Sequence, residues 1–304
     1  MSEKSGEVFC SPHWSEATYL FTFYRVTIFS FIFLTITATL GNSLILVALH
    51  KPDLSLHPPS KLLLRSLTIT DLCVGAISQP LFITYIHVTL KQNFSLCRVI
   101  EPSIFVVNSI FPGVSLFTLT AIGIDRLLAL LLRLRYRQVV TVNRVRVAVI
   151  LFWLTGGLVG FIYFWSTHLF FIVSGVLVLL FAAISTFCYT RIFRTMQRQQ
   201  MQVQDTLGSQ NTGLNVARYK KTVFNALWIH LTLASFYLPF TVITVVITVV
   251  GFSKSLFWAE ILTVSLVYVN SSVNPFLYCW KMREVRRAVK ETVRQVYASC
   301  SCLS

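Results

Sequence analysis

Asp71 lies in the middle of an otherwise apolar stretch, and Asp125-Arg126 sits near the end of another. Charged groups in such surroundings are costly unless compensated, so each is a functional candidate. Asn42, Asn108, Asn225, His230, Asn270 and Asn274 place uncharged polar groups in similar stretches. No Lys or Arg lies at the depth of Asp71. It must be protonated, hydrated or neutralised by an ion, with Asn and Ser side chains from neighbouring segments completing a polar cage. The plainer role for any single Asn is a hydrogen bond between helices, on the order of 1 kcal/mol. Asn274-Pro275 puts a proline inside an apolar run. Proline removes one backbone hydrogen bond and bends the helix, and the Asn274 side chain is the expected substitute partner for the freed carbonyl. Tyr278 follows one turn later, and a kinked helix ending in Tyr is an element with two positions. No nucleophile–base–orienter set or metal-ligand pattern is apparent, so the chain does not read as an enzyme.

Solvent decides which elements hold these residues. The chain has 304 residues, 55% hydrophobic and 12% charged, with a mean hydropathy of +0.70. Water-facing side chains cannot cover a core of that composition, and about half the usual charged share points to lipid. A membrane helix needs roughly 20 mostly apolar residues. Such runs occur at Val26–Leu49, Leu62–His87, Val99–Leu132, Val145–Trp165, Leu169–Phe193, Thr222–Val250 and Phe257–Trp280. The fold class is therefore all-α, a seven-transmembrane-helix bundle. From Val147 to Phe187 there is no Lys, Arg, Asp or Glu, over about twice the length one span needs. Ser166-Thr167-His168 is the polar interruption that divides two spans there, against the alternative of one long or re-entrant segment.

Orientation follows from the basic residues. With the N-terminus outside, only Lys4, Arg25, Lys91, Arg98 and Lys254 lie on the outer side, leaving 21 of the 26 Lys and Arg inside. That asymmetry is the positive-inside pattern. The formal charge of +15 is spread over short loops at helix ends, which suits anionic lipid and not nucleic acid. Residues 1–24 form a polar outer segment without a cleavable signal pattern, residues 25–280 the helical domain, and residues 281–304 a tail. Within Lys281–Val296, Met282, Val285, Val289, Val293 and Val296 form one stripe, giving a short amphipathic cytoplasmic helix on the membrane. Cys300 and Cys302 then sit where palmitoylation is feasible, the alternative being unmodified thiols. Asn93-Phe94-Ser95 is a glycosylation sequon in an outer loop. The expected location is the plasma membrane.

Several of these residues also carry a resemblance. Gly41-Asn42, the stretch Ser66-Leu67-Thr68-Ile69-Thr70-Asp71-Leu72, Pro80, Asp125-Arg126-Leu127-Leu128-Ala129 with Leu134-Arg135-Tyr136, Trp153, Tyr189, Pro239-Phe240, and Asn270 followed by Asn274-Pro275-Phe276-Leu277-Tyr278 occur in order, at least one motif per span. Together they resemble rhodopsin-like, class A G-protein-coupled receptors over nearly the whole chain. There are departures: Leu127 stands for the motif tyrosine, Tyr237 for the usual sixth-span tryptophan, and the fifth span has no proline. The short second outer loop and the acidic Glu101 are similar to melanocortin receptors, and the stretch around Asp71 to adenosine and amine receptors.

The resemblance implies a receptor that binds an extracellular small-molecule or peptide ligand between its helices and activates a heterotrimeric G protein. It places the ligand among Glu101, Asn108, Ser109, Phe240, Thr241, Thr244, Val264 and Tyr268. It implies a switch of Asp125, Arg126, Tyr189, Asn274, Pro275 and Tyr278, with Asp125 holding Arg126 in the inactive state. The acidic partner often found on the sixth span is replaced by Tyr219. The polar cage becomes a sodium site of Asp71, Ser115, Asn270 and Asn274, with no other cofactor required. The family disulfide has no partner in the second outer loop, so Cys97 is expected to pair with Cys10, the alternative being two free thiols. Neutral Asn108 cannot neutralise a biogenic amine, and Tyr268 in place of a lysine excludes a retinal Schiff base. A receptor-like membrane protein impaired in signalling stays open through Leu127 and Tyr237. A transporter or channel is a further alternative, although no internal repeat is seen.

Overall fold

The computed structural model describes residues 18–51, 56–91, 93–207, 235–251 and 253–301. Cys10, Tyr219, Asn225, His230 and Cys302, and the side chain of Cys300, lie outside the described residues. The described chain is helical. α1 spans Thr18–His50 and α2 Pro58–Cys73; a π-helical turn at Val74–Ser78 leads into α3, Gln79–Leu90. α4 runs from Phe94 to Leu132, followed by a 3₁₀ turn and the short α5, Tyr136–Val139. α6 is Val142–Trp165, α7 Thr167–Leu207, α8 the apolar Ser235–Val250, α9 Lys254–Lys281 and α10 Arg283–Ser301. Six described segments are long and apolar enough to cross a membrane, with α2 and α3 acting as one, and α8 is a shorter apolar helix. The chain is a multi-pass membrane protein with a seven-helix bundle and a further helix after the last span.

The break at Ser166 separates the fourth and fifth spans. Its extended backbone ends α6, and its hydroxyl accepts from the Leu169 N–H at 3.3 Å, capping α7. Outward faces are bare hydrocarbon: Phe29, Phe33, Leu158 and Val249 are all exposed, as lipid contact requires. Inward faces use small residues for close approach. A Cβ on Gly75 would lie 2.8 Å from both the Ala38 Cβ and the Thr39 Oγ1. One on Gly160 would lie 2.9 Å from the Ser109 Oγ.

Proline sets the irregular points. Pro80 has no N–H to give the preceding turn, and the π-helical turn just before it absorbs the mismatch. Pro275 removes the donor that would serve the Ser271 carbonyl, and the Asn42 Nδ2 donates to that carbonyl at 3.0 Å. The sequence assigned this substitution to Asn274; Asn274 faces the bundle centre instead and donates to Asp71. Gly41 makes the contact with the kink possible, since a Cβ there would lie 3.0 Å from the Pro275 Cγ.

At the end of the bundle that holds Arg126, the last carbonyls of α1 find cations. Arg65 donates to the Leu49 carbonyl at 3.0 Å and Lys61 to that of Lys51 at 3.3 Å, complementing the helix dipole. α10 packs there as the predicted stripe required. Val285 and Ala288 are buried against Ile45, Ala48, Leu49 and Leu64, and Glu291 stands 3.8 Å from Lys51.

Candidate functional site

Asp71 is fully buried, and three neutral donors from two helices meet its carboxylate. Ser115 on α4 and Ser271 on α9 donate to Oδ1 at 2.9 and 2.8 Å, and Asn274 donates to Oδ2 at 2.7 Å. The expected cage held Ser115, Asn270 and Asn274, and the structure brings Ser115 and Asn274 to the carboxylate. Asn270 lies beside the Tyr237 hydroxyl, and its Nδ2 has no hydrogen-bond partner. Ser271 takes the third place. Its spacing three residues before Asn274 put it on the same helix face, a signal the sequence reading did not use.

Towards the end that holds Cys97, a cavity of ≈ 120 Å³ opens among α3, α4, α6, α7, α8 and α9. Asn108, Ser109, Phe240, Thr241, Thr244, Val264 and Tyr268 line it. Asn108 and Tyr268 are bonded to each other, the tyrosine donating at 2.8 Å. Glu101 is not part of the lining. Its carboxylate turns towards α6, where the Tyr163 hydroxyl donates to it at 3.0 Å, and it is buried. Aromatic rings supply much of the wall: Phe105 stacks on Tyr163 at 5.1 Å and meets Phe170 and Phe171 edge-on. Tyr237 forms part of the floor, its hydroxyl donating to the Pro112 carbonyl at 3.4 Å. Glu260 and Tyr85 also line the cavity, and the sequence reading named neither. An acid three residues into the predicted seventh span was the available signal for Glu260.

At the opposite end the expected clasp is different. The Asp125 carboxylate accepts from the Ser60 hydroxyl at 2.8 Å and from the Tyr136 hydroxyl at 2.7 Å, so it does not hold Arg126. Neighbours on a helix point about 100° apart, and Arg126 is exposed at this end, within electrostatic reach of Tyr136 and Tyr189. Arg133, with φ 45°, ends α4 in strained backbone, and the chain doubles back so that Tyr136 lies under Asp125. Tyr189 is buried against Gly123, 3.4 Å from where a Cβ there would stand. Tyr278 packs against the same cluster, its hydroxyl buried without a hydrogen-bond partner among the described residues.

Cys97 is buried and disulfide-bonded. Its partner is not among the described residues, and the expectation of Cys10 falls there. Asn93 caps α4, accepting from the Leu96 N–H at 3.3 Å, and is exposed.

The chain matches the family model of the 7 transmembrane receptor (rhodopsin family) over residues 41–169 and 162–278. Adenosine receptor A3 of Ovis aries is 25% identical over 88% of this chain and 88% of its own length. Probable G-protein coupled receptor 21 of Mus musculus is 26% identical over 89% and 84%. Trace amine-associated receptor 1 of Mus musculus is 24% identical over 88% of each.

Proposed function

Because the chain belongs to the rhodopsin family of seven-transmembrane receptors and is a G-protein-coupled receptor, we propose that its ligand is a small molecule entering the cavity among α3, α4, α6, α7, α8 and α9. In this reading the N-terminus is extracellular, the receptor sits in the plasma membrane, and a heterotrimeric G protein docks at the Arg126 end. The observation that carries the reading is the continuity of polar contacts below the cavity. Asn108, Tyr268 and Tyr237 line it, Asp71 is tied to both α4 and α9, and Asn274-Pro275 leads to Tyr278. A ligand that changes the spacing of α4, α8 and α9 biases the kinked end of α9. It can do so only by its differential affinity for the two arrangements. Arg126 is not occupied by Asp125, so it can meet Tyr189 and Tyr278 once α9 shifts. Asp125 instead fixes Tyr136 and the turn that follows α4.

The oxygens of Asp71, Ser115 and Ser271 also fit a hard cation, which prefers oxygen ligands. Sodium is the abundant outer candidate, and bound there it supplies positive charge that favours the arrangement in which α4 and α9 both face Asp71. Cys10 is the proposed disulfide partner of Cys97, Asn93 the glycan acceptor, and Cys300 and Cys302 the lipidated thiols.

Nucleotide exchange on a panel of purified heterotrimeric G proteins tests the reading. Receptor-dependent exchange that rises with a hit from a small-molecule library supports it. Exchange indistinguishable from receptor-free membranes across the panel sinks it and favours a receptor-like protein impaired in signalling. Sodium replaced by N-methylglucamine at equal ionic strength should raise basal exchange in the wild type and leave Asp71→Asn unchanged. Equal responses in the two proteins would remove the sodium site.

A further inference from the structure

The cavity holds a carboxylate that no described side chain answers. Glu260 on α9 lines the wall, and its carboxylate makes no hydrogen bond or ion pair among the described residues. Only its backbone carbonyl is engaged, accepting from the Thr263 hydroxyl at 3.0 Å. Among the described residues no Lys or Arg lines the cavity. Tyr85 stands on the same wall, 4% exposed; its hydroxyl lies near Thr89, whose own hydroxyl donates to the Tyr85 carbonyl, and makes no geometric hydrogen bond among the described residues. Tyr85 and Glu260 are within electrostatic reach of each other. An ionised carboxylate out of water needs a partner charge, and an unpartnered buried hydroxyl is likewise exceptional.

The rest of the lining narrows the partner. Phe82, Phe105, Phe170, Phe171 and Phe240 offer ring faces and edges to a hydrocarbon body, and ring faces attract a cation within about 6 Å. The volume of ≈ 120 Å³ is close to the roughly 150 Å³ of a void that takes one benzene ring. That suits a compact molecule and not a folded peptide.

Resting on the receptor reading above, and naming the ligand class for its cavity, we propose that this cavity receives a compact organic cation, an ammonium group on an aromatic or branched apolar body, with Glu260 as its counter-ion. Tyr85 completes the head-group site, its hydroxyl accepting from an ammonium N–H or its ring facing a quaternary one. The cationic group sits about 12 Å farther along α9 than Tyr268, given eight residues at 1.5 Å each. It therefore lies away from Asn108, whose amide oxygen is already taken by Tyr268. The apolar body occupies the space between Phe105, Phe171 and Phe240.

The test uses the purified full-length receptor in lipid nanodiscs and reads thermal unfolding against ligand concentration. The probes are benzyltrimethylammonium with its neutral carbon isostere neopentylbenzene, and 2-phenylethylammonium with 2-phenylethanol. At millimolar concentration at least one cation should raise Tm by several degrees, and its neutral counterpart should not. Glu260→Gln should weaken that cation about 30-fold or more, since removing one member of a desolvated charge pair costs roughly 2 kcal/mol upward. Glu260→Asp, which keeps the charge, should retain the preference for the cation. If Glu260→Gln fails to fold, Glu260→Asp and the isostere pairs decide the matter. Neutral isosteres that stabilise as well as the cations, cations that leave Tm unmoved, or a Glu260→Gln receptor with the full response would each overturn the proposal. Nucleotide exchange on the same samples separates the two readings: a Tm shift without exchange supports the cation site and defeats coupling.

Discussion

Asn42 stands where the proline-broken α9 needs a donor, and a double-mutant cycle measures what that donor is worth. Its Nδ2 donates to the Ser271 carbonyl at 3.0 Å and to its own helix at Ala38 at 2.9 Å. Asn42→Ala leaves the Ser271 carbonyl buried without its donor, at a cost of about 1–3 kcal/mol in general. Comparable bonds between membrane helices average about 0.6 and reach about 1.7 kcal/mol. Pro275→Ala restores a backbone N–H that can serve the same carbonyl. In that background Asn42→Ala should cost less by about 1 kcal/mol, because only the losses of packing and of the bond to Ala38 remain. Those losses are common to both backgrounds and cancel in the cycle. Equilibrium unfolding in mixed micelles of the wild type, both single variants and the double variant gives the coupling directly. An Asn42→Ala cost that is the same in the wild-type and Pro275→Ala backgrounds would refute the idea that Asn42 replaces the missing proline donor.

Gly75→Ala should lower stability by about 1–3 kcal/mol, because its Cβ would stand 2.8 Å from Ala38 and Thr39. Gly157→Ala, with nothing within 4 Å, should be neutral or stabilising by up to about 1 kcal/mol; thermal unfolding of the two side by side checks the contrast. Tyr136→Phe removes a 2.7 Å donor from Asp125 and should cost about 1–3 kcal/mol. It should cost clearly less in an Asp125→Asn background, and additive effects in micelle unfolding would count against the clasp. Asn93→Gln should abolish a glycosidase-sensitive mobility shift of the expressed receptor, since the exposed Asn93 and Ser95 form the sequon; an unchanged shift would place the glycan elsewhere.

The sequence by itself determined the solvent, the number of spans and the break at Ser166, because these depend on local composition and run length. It also marked Asp71 and Asn274, since a polar side chain in a lipid-soluble helix is conspicuous wherever it points. Seven of the eight predicted pocket residues line the cavity, because the resemblance transfers positions along each helix. What it could not transfer is which of two adjacent buried polar residues reaches Asp71. Ser271 reaches Asp71 and Asn270 does not, a rotation of about 100° fixed by how α9 packs on α1 and α2. The fate of each acid was likewise decided by tertiary contacts. Glu101 is answered by Tyr163 on α6, Asp125 by Ser60 and Tyr136, and Glu260 is left facing the cavity. Helix periodicity names the face a carboxylate occupies, but its partner comes from another helix at long sequence separation, and only the packed bundle brings that partner within hydrogen-bond reach.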